Sequence, residues 1–355
     1  MTTKHRIIQV GSLAGSPTAN RRLADEYDVL ELWQQADRAA ALARHGKGVT
    51  ALVTSANFGA DAALIDALPD LKAICSWGVG YETIDVDAAR KRGVLVSNTP
   101  DVLTDCVADL AWGLLISGAR RMAQGDRFVR AGQWGQVHGS IPLGTRVSGK
   151  NLGIIGLGRI GEAIARRGDG FDMQVRYHNR RRRDDVSYGY ESSLADLARW
   201  ADFLVVATVG GPSTRHLVNQ EVLEALGPKG LIINIARGPV IDEAALVAAL
   251  QAGKLGGAAL DVFEHEPLVP DALKASDDTV LLPHISSATF ETRMAMENLM
   301  LDNLASFFKT GDVITPPYIG RLPIARQSRP IKRELARFPG QSIPARPVYR
   351  PRRRA

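Results

Sequence analysis

Cysteine is scarce in this chain: Cys75 and Cys106 are the only two in 355 residues, and neither has a CxxC partner. That excludes a disulfide framework and predicts a reducing, cytoplasmic setting. No metal centre is expected. Long apolar runs are also missing. The N-terminal "RIIQV" holds three or four apolar residues before turn residues intervene, too few for a signal peptide or a membrane span. The most apolar helical pattern, "TPDVLTDCVADLAWGLLISGARRM", is interrupted by Asp105 and Asp109. It predicts a buried helix over Leu103 to Met122, opened by Thr104 as N-cap, at a domain or subunit boundary rather than in a bilayer. Internal repeats and low-complexity tracts are absent before the C-terminal tail.

The net charge of +6 is unevenly spread. From Arg321 onward there are eleven Lys and Arg against one acid, Glu334, so this segment carries +10 and the first 320 residues −4. The folded body is mildly acidic, so nucleic acid is not the expected partner. Six prolines and no sustained apolar period predict a disordered basic tail over 319–355.

What is present is alternation. Between Ile7 and Asn98, "RIIQV", "YDVLEL", "VTALVTS", "LKAICSW" and "VLVSN" take turns with helical segments such as "DAALIDALPD". A second block of the same kind runs from "SGKNLGIIGLG" to "TVLLPHISS". Strands alternating with helices predict parallel sheets covered by helices. The last helix, "TFETRMAMENLMLDNLASFFKTG", is amphipathic, ends at Gly311, and is expected to return to the first block. The predicted fold is α/β, with two domains: 1–99 plus 289–318, and 100–288.

In "LGIIGLGRIGEAIARR", Gly156, Gly158 and Gly161 form GxGxxG between an apolar strand and a helix. Gly156 permits the tight turn, Gly158 admits a pyrophosphate to the backbone, and Gly161 lets the helix lie close to the sheet. The helix N-terminus favours phosphate. The next strand, "MQVRYH", ends near where an adenosine ribose would sit. An NAD-binding chain has a carboxylate there. Here Asn179 takes that place, followed by Arg180 to Arg183. A carboxylate repels a 2′-phosphate and guanidinium groups bind it, so NADP(H) is expected over NAD(H). The competing reading is a solvated basic turn.

Downstream, Arg237, Asp261, Glu266 and His284 each follow a predicted strand. As a set they suit reduction of a 2-oxo acid. A cation grips the substrate carboxylate, a histidine protonates the carbonyl oxygen, and a carboxylate orients the imidazole and favours its protonated form.

With "GIIGLGRIG", "NIARGPVIDEAAL", "LDVFEHEP" and "LLPHISSAT" in this order, over roughly residues 5 to 318, the chain resembles the D-isomer-specific 2-hydroxyacid dehydrogenase family. The Asn-Arg pair makes it most similar to the NADPH-dependent glyoxylate/hydroxypyruvate reductases. The resemblance implies a Rossmann domain and a flavodoxin-like substrate domain with the active site between them. It places the catalytic set on Arg237, Glu266 and His284, and the substrate carboxylate on the backbone of Val79 and Gly80 with Arg237 and His284. It places the cofactor on Gly156, Leu157, Gly158, Arg159, Ile160, Gly161, Asn179, Arg180, Arg181, Thr208, Ile235, Ala236, Arg237, Asp261, His284 and Ser286, with Asp261 holding the nicotinamide amide. It also implies a homodimer through the nucleotide-binding domains, with Trp134 reaching the partner's active site.

Three departures stand out. Ser286 replaces the glycine usual two residues after the histidine, "TVGGPSTRH" is unusually rich in glycine, and Gly168 and Gly170 fall near the end of the first cofactor helix. The expected substrate is a small 2-oxo acid of the glyoxylate or hydroxypyruvate type. Aromatic 2-oxo acids and 2-ketogluconate are alternatives, and a nucleotide-sensing corepressor or scaffold is the competing class.

Overall fold

The computed structural model describes residues 4–136 and 140–317, so the expectation for the 319–355 tail lies outside the described residues. The first sheet contains β1 (Arg6–Gln9), β2 (Asp28–Glu31), β3 (Ala51–Ser55), β4 (Ala73–Trp77) and β5 (Leu95–Ser97), ordered β2-β1-β3-β4-β5. The second contains β6 (Asn151–Ile155), β7 (Gln174–His178), β8 (Gly189–Tyr190), β9 (Phe203–Val206), β10 (Leu231–Asn234), β11 (Gly257–Leu260) and β12 (Thr279–Leu281), ordered β12-β11-β10-β9-β6-β7-β8. All pairings between these strands are parallel. Both sheets are doubly wound, and the order of the second reverses at β6, flanked by β7 and β9. Ligands of such sheets bind beyond the carboxyl ends of the strands, at that reversal.

The helices of the first lobe are α1 (Ala19–Glu26), α2 (Arg38–His45), α3 (Ala62–Asp66) and α4 (Val86–Lys91). Then follow α5 (Thr104–Ala119), α6 (Met122–Arg130), α7 (Arg159–Asp169), α8 (Leu194–Trp200), α9 (Gln220–Leu226), α10 (Glu243–Gln251), α11 (Asp271–Ala275) and α12 (Phe290–Thr310). Every residue of β3, β4, β9, β10 and β11 is buried, as strands covered by helices on both faces require. Local chemistry sets the helix starts. Asp37, Asp61, Asp85, Ser193, Asn219, Asp242 and Thr289 each accept a hydrogen bond from the backbone of the first helical turn. Such a cap contributes about 1 kcal/mol.

The apolar helix differs from expectation at both ends. Leu103, not Thr104, is the cap residue, it is buried, and no side chain caps α5. The helix stops at Ala119, because Arg121 takes a left-handed backbone (φ 53°) before α6 begins. Its buried face lies on α7, β10 and β11. There Trp112 stacks on Phe171 at 4.5 Å and donates from Nε1 to the Ile164 carbonyl. Beyond α6 the chain leaves Trp134 78% and Leu143 96% exposed.

As expected, α12 returns to the first lobe, packs on β4, and ends at Gly311 in the left-handed region (φ 78°). Its fully buried Glu297 accepts from Ser16 Oγ (2.5 Å), Thr18 Oγ1 (2.6 Å), the Thr18 amide (3.1 Å) and Arg22 (2.9 Å). Only Gly168 of the two late glycines is inside a helix; Gly170 is the C-cap of α7. No helix among the described residues is long and apolar enough to cross a membrane.

Candidate active site

The glycine turn joins β6 to α7, and each glycine is required for a different reason. Gly156 has φ +97°, and a methyl there would meet the Thr208 backbone at 2.7 Å. A methyl on Gly161 would strike the Gly156 carbonyl oxygen, so only glycine lets α7 sit this close to the sheet. Around Gly158 there is open space. No side chain caps α7, so its first-turn N–H groups face that space. These features fit a dinucleotide pyrophosphate. The Leu157 amide donates to Asn179 Oδ1 at 2.7 Å, and Arg159 pairs with Asp101 at 2.9 Å. Ile160 is the second residue of α7, and the backbone of Thr208 lies against Gly156.

The four arginines are sorted by their partners. Arg183 is drawn inward: it pairs with Asp185 at 2.5 Å and Glu162 at 2.8 Å, and donates to the Leu157 carbonyl at 3.2 Å. The hydrogen bonds it donates to Asp185 first and Glu162 second raise its pKa above the ordinary arginine value. Buried Tyr177 anchors the same residue, its Oη accepting from the Arg183 amide at 2.7 Å. Arg182 is 3.9 Å from Asp184 and largely exposed. Arg180 and Arg181 are exposed and have no ion pair among the described residues. They are therefore available to an anion, beside an Asn179 with no charge to repel it.

At the carboxyl edge of the same sheet, β10, β11 and β12 deliver Arg237, Glu266 and His284. His284 Nδ1 is 2.8 Å from Glu266 Oε2, and Glu266 Oε1 accepts from the Phe263 amide at 3.1 Å. Burial pushes the Glu266 carboxyl up. The His284 hydrogen bond and charge, the Phe263 amide and the charge of Arg237 outweigh it, and the net shift is downward. Asn234, at the end of β10, shapes the turn that presents Arg237. Its side chain accepts from the Ala236 amide at 3.0 Å and donates to the Arg237 carbonyl at 3.1 Å. Ile235 and Ala236 are buried within that turn, and Arg237 Nη1 donates to the Ala236 carbonyl at 2.6 Å.

His284 has a left-handed backbone (φ 52°), unfavourable for a residue with a side chain. Asp261 offsets that cost. The Asp261 carbonyl accepts from the His284 amide at 2.8 Å, and its carboxylate accepts from the amides of Ile285 at 2.7 Å and Ser286 at 2.8 Å. The Ser286 hydroxyl also donates to Asp261. These are contacts of both residues within the chain itself. Asp261 is fully buried and holds the histidine loop, and the Ser286 hydroxyl turns inward onto it rather than toward the ring position.

The first lobe contributes its β4 loop. The Asn98 side chain donates to the Val79 carbonyl at 2.8 Å, and Gly78 exchanges hydrogen bonds with Thr99. Gly80 lies directly against the guanidinium of Arg237: a methyl there would overlap Nη2. Gly210 makes room from the other side, since a methyl on it would stand 2.6 Å from Arg237 Cγ. The extra glycine in "TVGGPSTRH" thus serves the arginine. Sequence reasoning missed Glu82, which accepts from Arg237 Nε. It also missed a second imidazole–carboxylate pair, His216 Nε2 with Glu264 at 2.9 Å. In that pair the other ring nitrogen is 3.7 Å from Asp242, so both nitrogens face carboxylates. The Nε2 of His284 has no hydrogen-bond partner among the described residues. No cluster of three or more His, Cys, Asp or Glu suited to a metal occurs among them either.

Comparison with known proteins agrees with this geometry. Residues 112–286 match the NAD binding domain of D-isomer specific 2-hydroxyacid dehydrogenases. The chain is 46% identical over 294 residues to glyoxylate/hydroxypyruvate reductase A of Arabidopsis thaliana, covering 83% of this chain and 93% of the relative. It is equally 46% identical, over 296 residues, to hydroxyphenylpyruvate reductase of Plectranthus scutellarioides, covering 83% and 94%. Among solved structures, the NADPH-dependent glyoxylate/hydroxypyruvate reductase of Sinorhizobium meliloti, in complex with NADP and malonate, superimposes with a TM-score of 0.82 at 41% identity, covering 90% of this chain and all of that one. With a glycine turn open to phosphate and a histidine–glutamate pair beside an arginine on a reversing parallel sheet, the chain belongs to the D-isomer-specific 2-hydroxyacid dehydrogenase family.

Proposed function

We propose that this protein reduces a small 2-oxo acid, of the glyoxylate or hydroxypyruvate type, to the D-2-hydroxy acid with NADPH. The observation that carries the reading is the His284–Glu266 hydrogen bond beside Arg237, with Gly80 of the other lobe against the guanidinium. When bound, NADPH supplies the hydride. Arg237 and the amides of Val79 and Gly80 hold the substrate carboxylate. His284 delivers a proton from Nε2 to the carbonyl oxygen, while Glu266 keeps the imidazole oriented. Gly158 and the start of α7 take the pyrophosphate, and Arg180 and Arg181 take the 2′-phosphate. Asp261 holds the nicotinamide amide, and with Ser286 it also fixes the loop that carries His284.

The domain boundaries proposed are 1–99 with 289–318 and 100–288; Tyr318 lies outside the described residues. A homodimer through the nucleotide-binding domain would cover the exposed Trp134 and Leu143, with Trp134 reaching toward the partner's site. Two free thiols, Cys75 and Cys106, fit the cytoplasm.

The test is steady-state kinetics with a panel of 2-oxo acids (small, aromatic and sugar-derived), each with NADPH and NADH in parallel. Preference for NADPH and a small substrate supports the reading; equal or better turnover with NADH refutes the role of the arginines. His284→Ala and His216→Ala, measured side by side, decide which imidazole transfers the proton.

A further inference from the structure

The guanidinium that the substrate needs is already held by a carboxylate of this chain. Arg237 Nε donates to Glu82, joining the seven-stranded lobe to the five-stranded one, with the side chains 25% and 20% exposed. The pair is packed between two glycines. A methyl on Gly80 would overlap Arg237 Nη2 and stand 2.7 Å from Glu82 Oε2; a methyl on Gly210 would stand 3.6 Å from Glu82 Cδ. The Glu82 carboxylate therefore lies over Gly80 and on Arg237. A 2-oxo acid presents the same chemical group to the same two partners, and the Nε donor that holds one carboxylate is not open to a second.

We infer that Glu82 is a built-in competitor for Arg237, so that substrate binding exchanges one carboxylate for another. This rests on the role proposed above for Arg237. Glu82 thereby sets the affinity of the site. The substrate must displace it, and once displaced it remains a nearby anion that repels the bound carboxylate. A strut that merely positioned Arg237 would have the opposite signature, because removing its charge would loosen the arginine and weaken binding.

The experiment compares wild type with Glu82→Gln, which keeps the shape and loses the charge, and Glu82→Asp, which keeps the charge and shortens the reach. The readouts are KM for glyoxylate and the Kd of oxamate, an unreactive monocarboxylate, measured by calorimetry on the NADPH-loaded enzyme. Thermal melting checks that each variant is folded. Competition predicts that Glu82→Gln lowers both constants by about 2- to 5-fold, the scale of a partly exposed ion pair, with a smaller decrease for Glu82→Asp. Weaker binding, or no change, in folded Glu82→Gln overturns the inference and leaves the proposed reaction standing. A wild-type enzyme that neither binds oxamate nor reduces any 2-oxo acid overturns both.

Discussion

Glu266 Oε2 and His284 Nδ1 lie 2.8 Å apart, although the two residues arrive from the loops after different strands, β11 and β12. The contact fixes which ring nitrogen is left for chemistry: with Nδ1 on the carboxylate, Nε2 points to solvent or substrate. His284→Ala should therefore reduce kcat for glyoxylate about 100- to 10,000-fold with NADPH binding retained. Glu266→Gln keeps a hydrogen-bond partner without the charge. It should lower kcat less, because the hydrogen bond that orients the ring is kept and only the charge beside it is lost. The check is kcat for both variants beside wild type.

The same arginine run should divide under mutation. Replacing Arg180 and Arg181 together by alanine is expected to raise KM for NADPH about 10- to 100-fold, with little change for NADH, since only the former has a 2′-phosphate. Arg183→Ala should instead affect both cofactors and lower the melting temperature, because it unties Glu162, Asp185 and the Leu157 carbonyl, at a cost of about 1–3 kcal/mol. Selective loss of NADPH affinity in Arg183→Ala would reverse this assignment.

Two glycines of one turn should behave differently. Gly158→Ala adds a methyl to open space, so the protein should melt like wild type while its affinity for both cofactors falls. Gly161→Ala drives a methyl into the Gly156 carbonyl and should lose about 1–3 kcal/mol or more. Cofactor titration followed by melting without cofactor separates the two effects.

Far from the chemistry, Glu297 should govern stability at acid pH. Burial pushes its carboxyl up, yet the hydrogen bonds from Ser16, Thr18 and Arg22 leave it below the ordinary carboxylate range. A folded-state pKa below the unfolded one contributes stability that is fully present above the unfolded value and is lost as pH falls through the folded value. Glu297→Ala should cost about 1–3 kcal/mol at neutral pH, since it leaves buried Ser16 and the partly exposed Thr18 and Arg22 without their acceptor. The difference in melting temperature between wild type and variant should shrink on acidification. A difference independent of pH would show that the charge contributes nothing.

Much of this was present in one dimension. The five strands between residues 6 and 97, the cap at Asp242, the stop of α12 at Gly311 and the three glycines of the turn are consequences of neighbouring residues: apolar runs, side-chain acceptors at helix starts, and φ angles that only glycine adopts freely. Arg237, Glu266 and His284 were legible because each follows a strand, and parallel sheets bring the ends of their strands together. Folding decided the partners. That Arg183 turns inward while Arg180 and Arg181 stay outside depends on Tyr177, Glu162 and Asp185, and no spacing rule distinguishes four identical side chains. That Asp261 holds the histidine loop, Ser286 turns onto it, and Glu82 reaches Arg237 from the other lobe are contacts between segments 24 to 155 residues apart. Local sequence determines backbone conformation through short-range sterics and hydrogen bonds, whereas charge pairing across a cleft depends on distances that exist only once both sheets have packed.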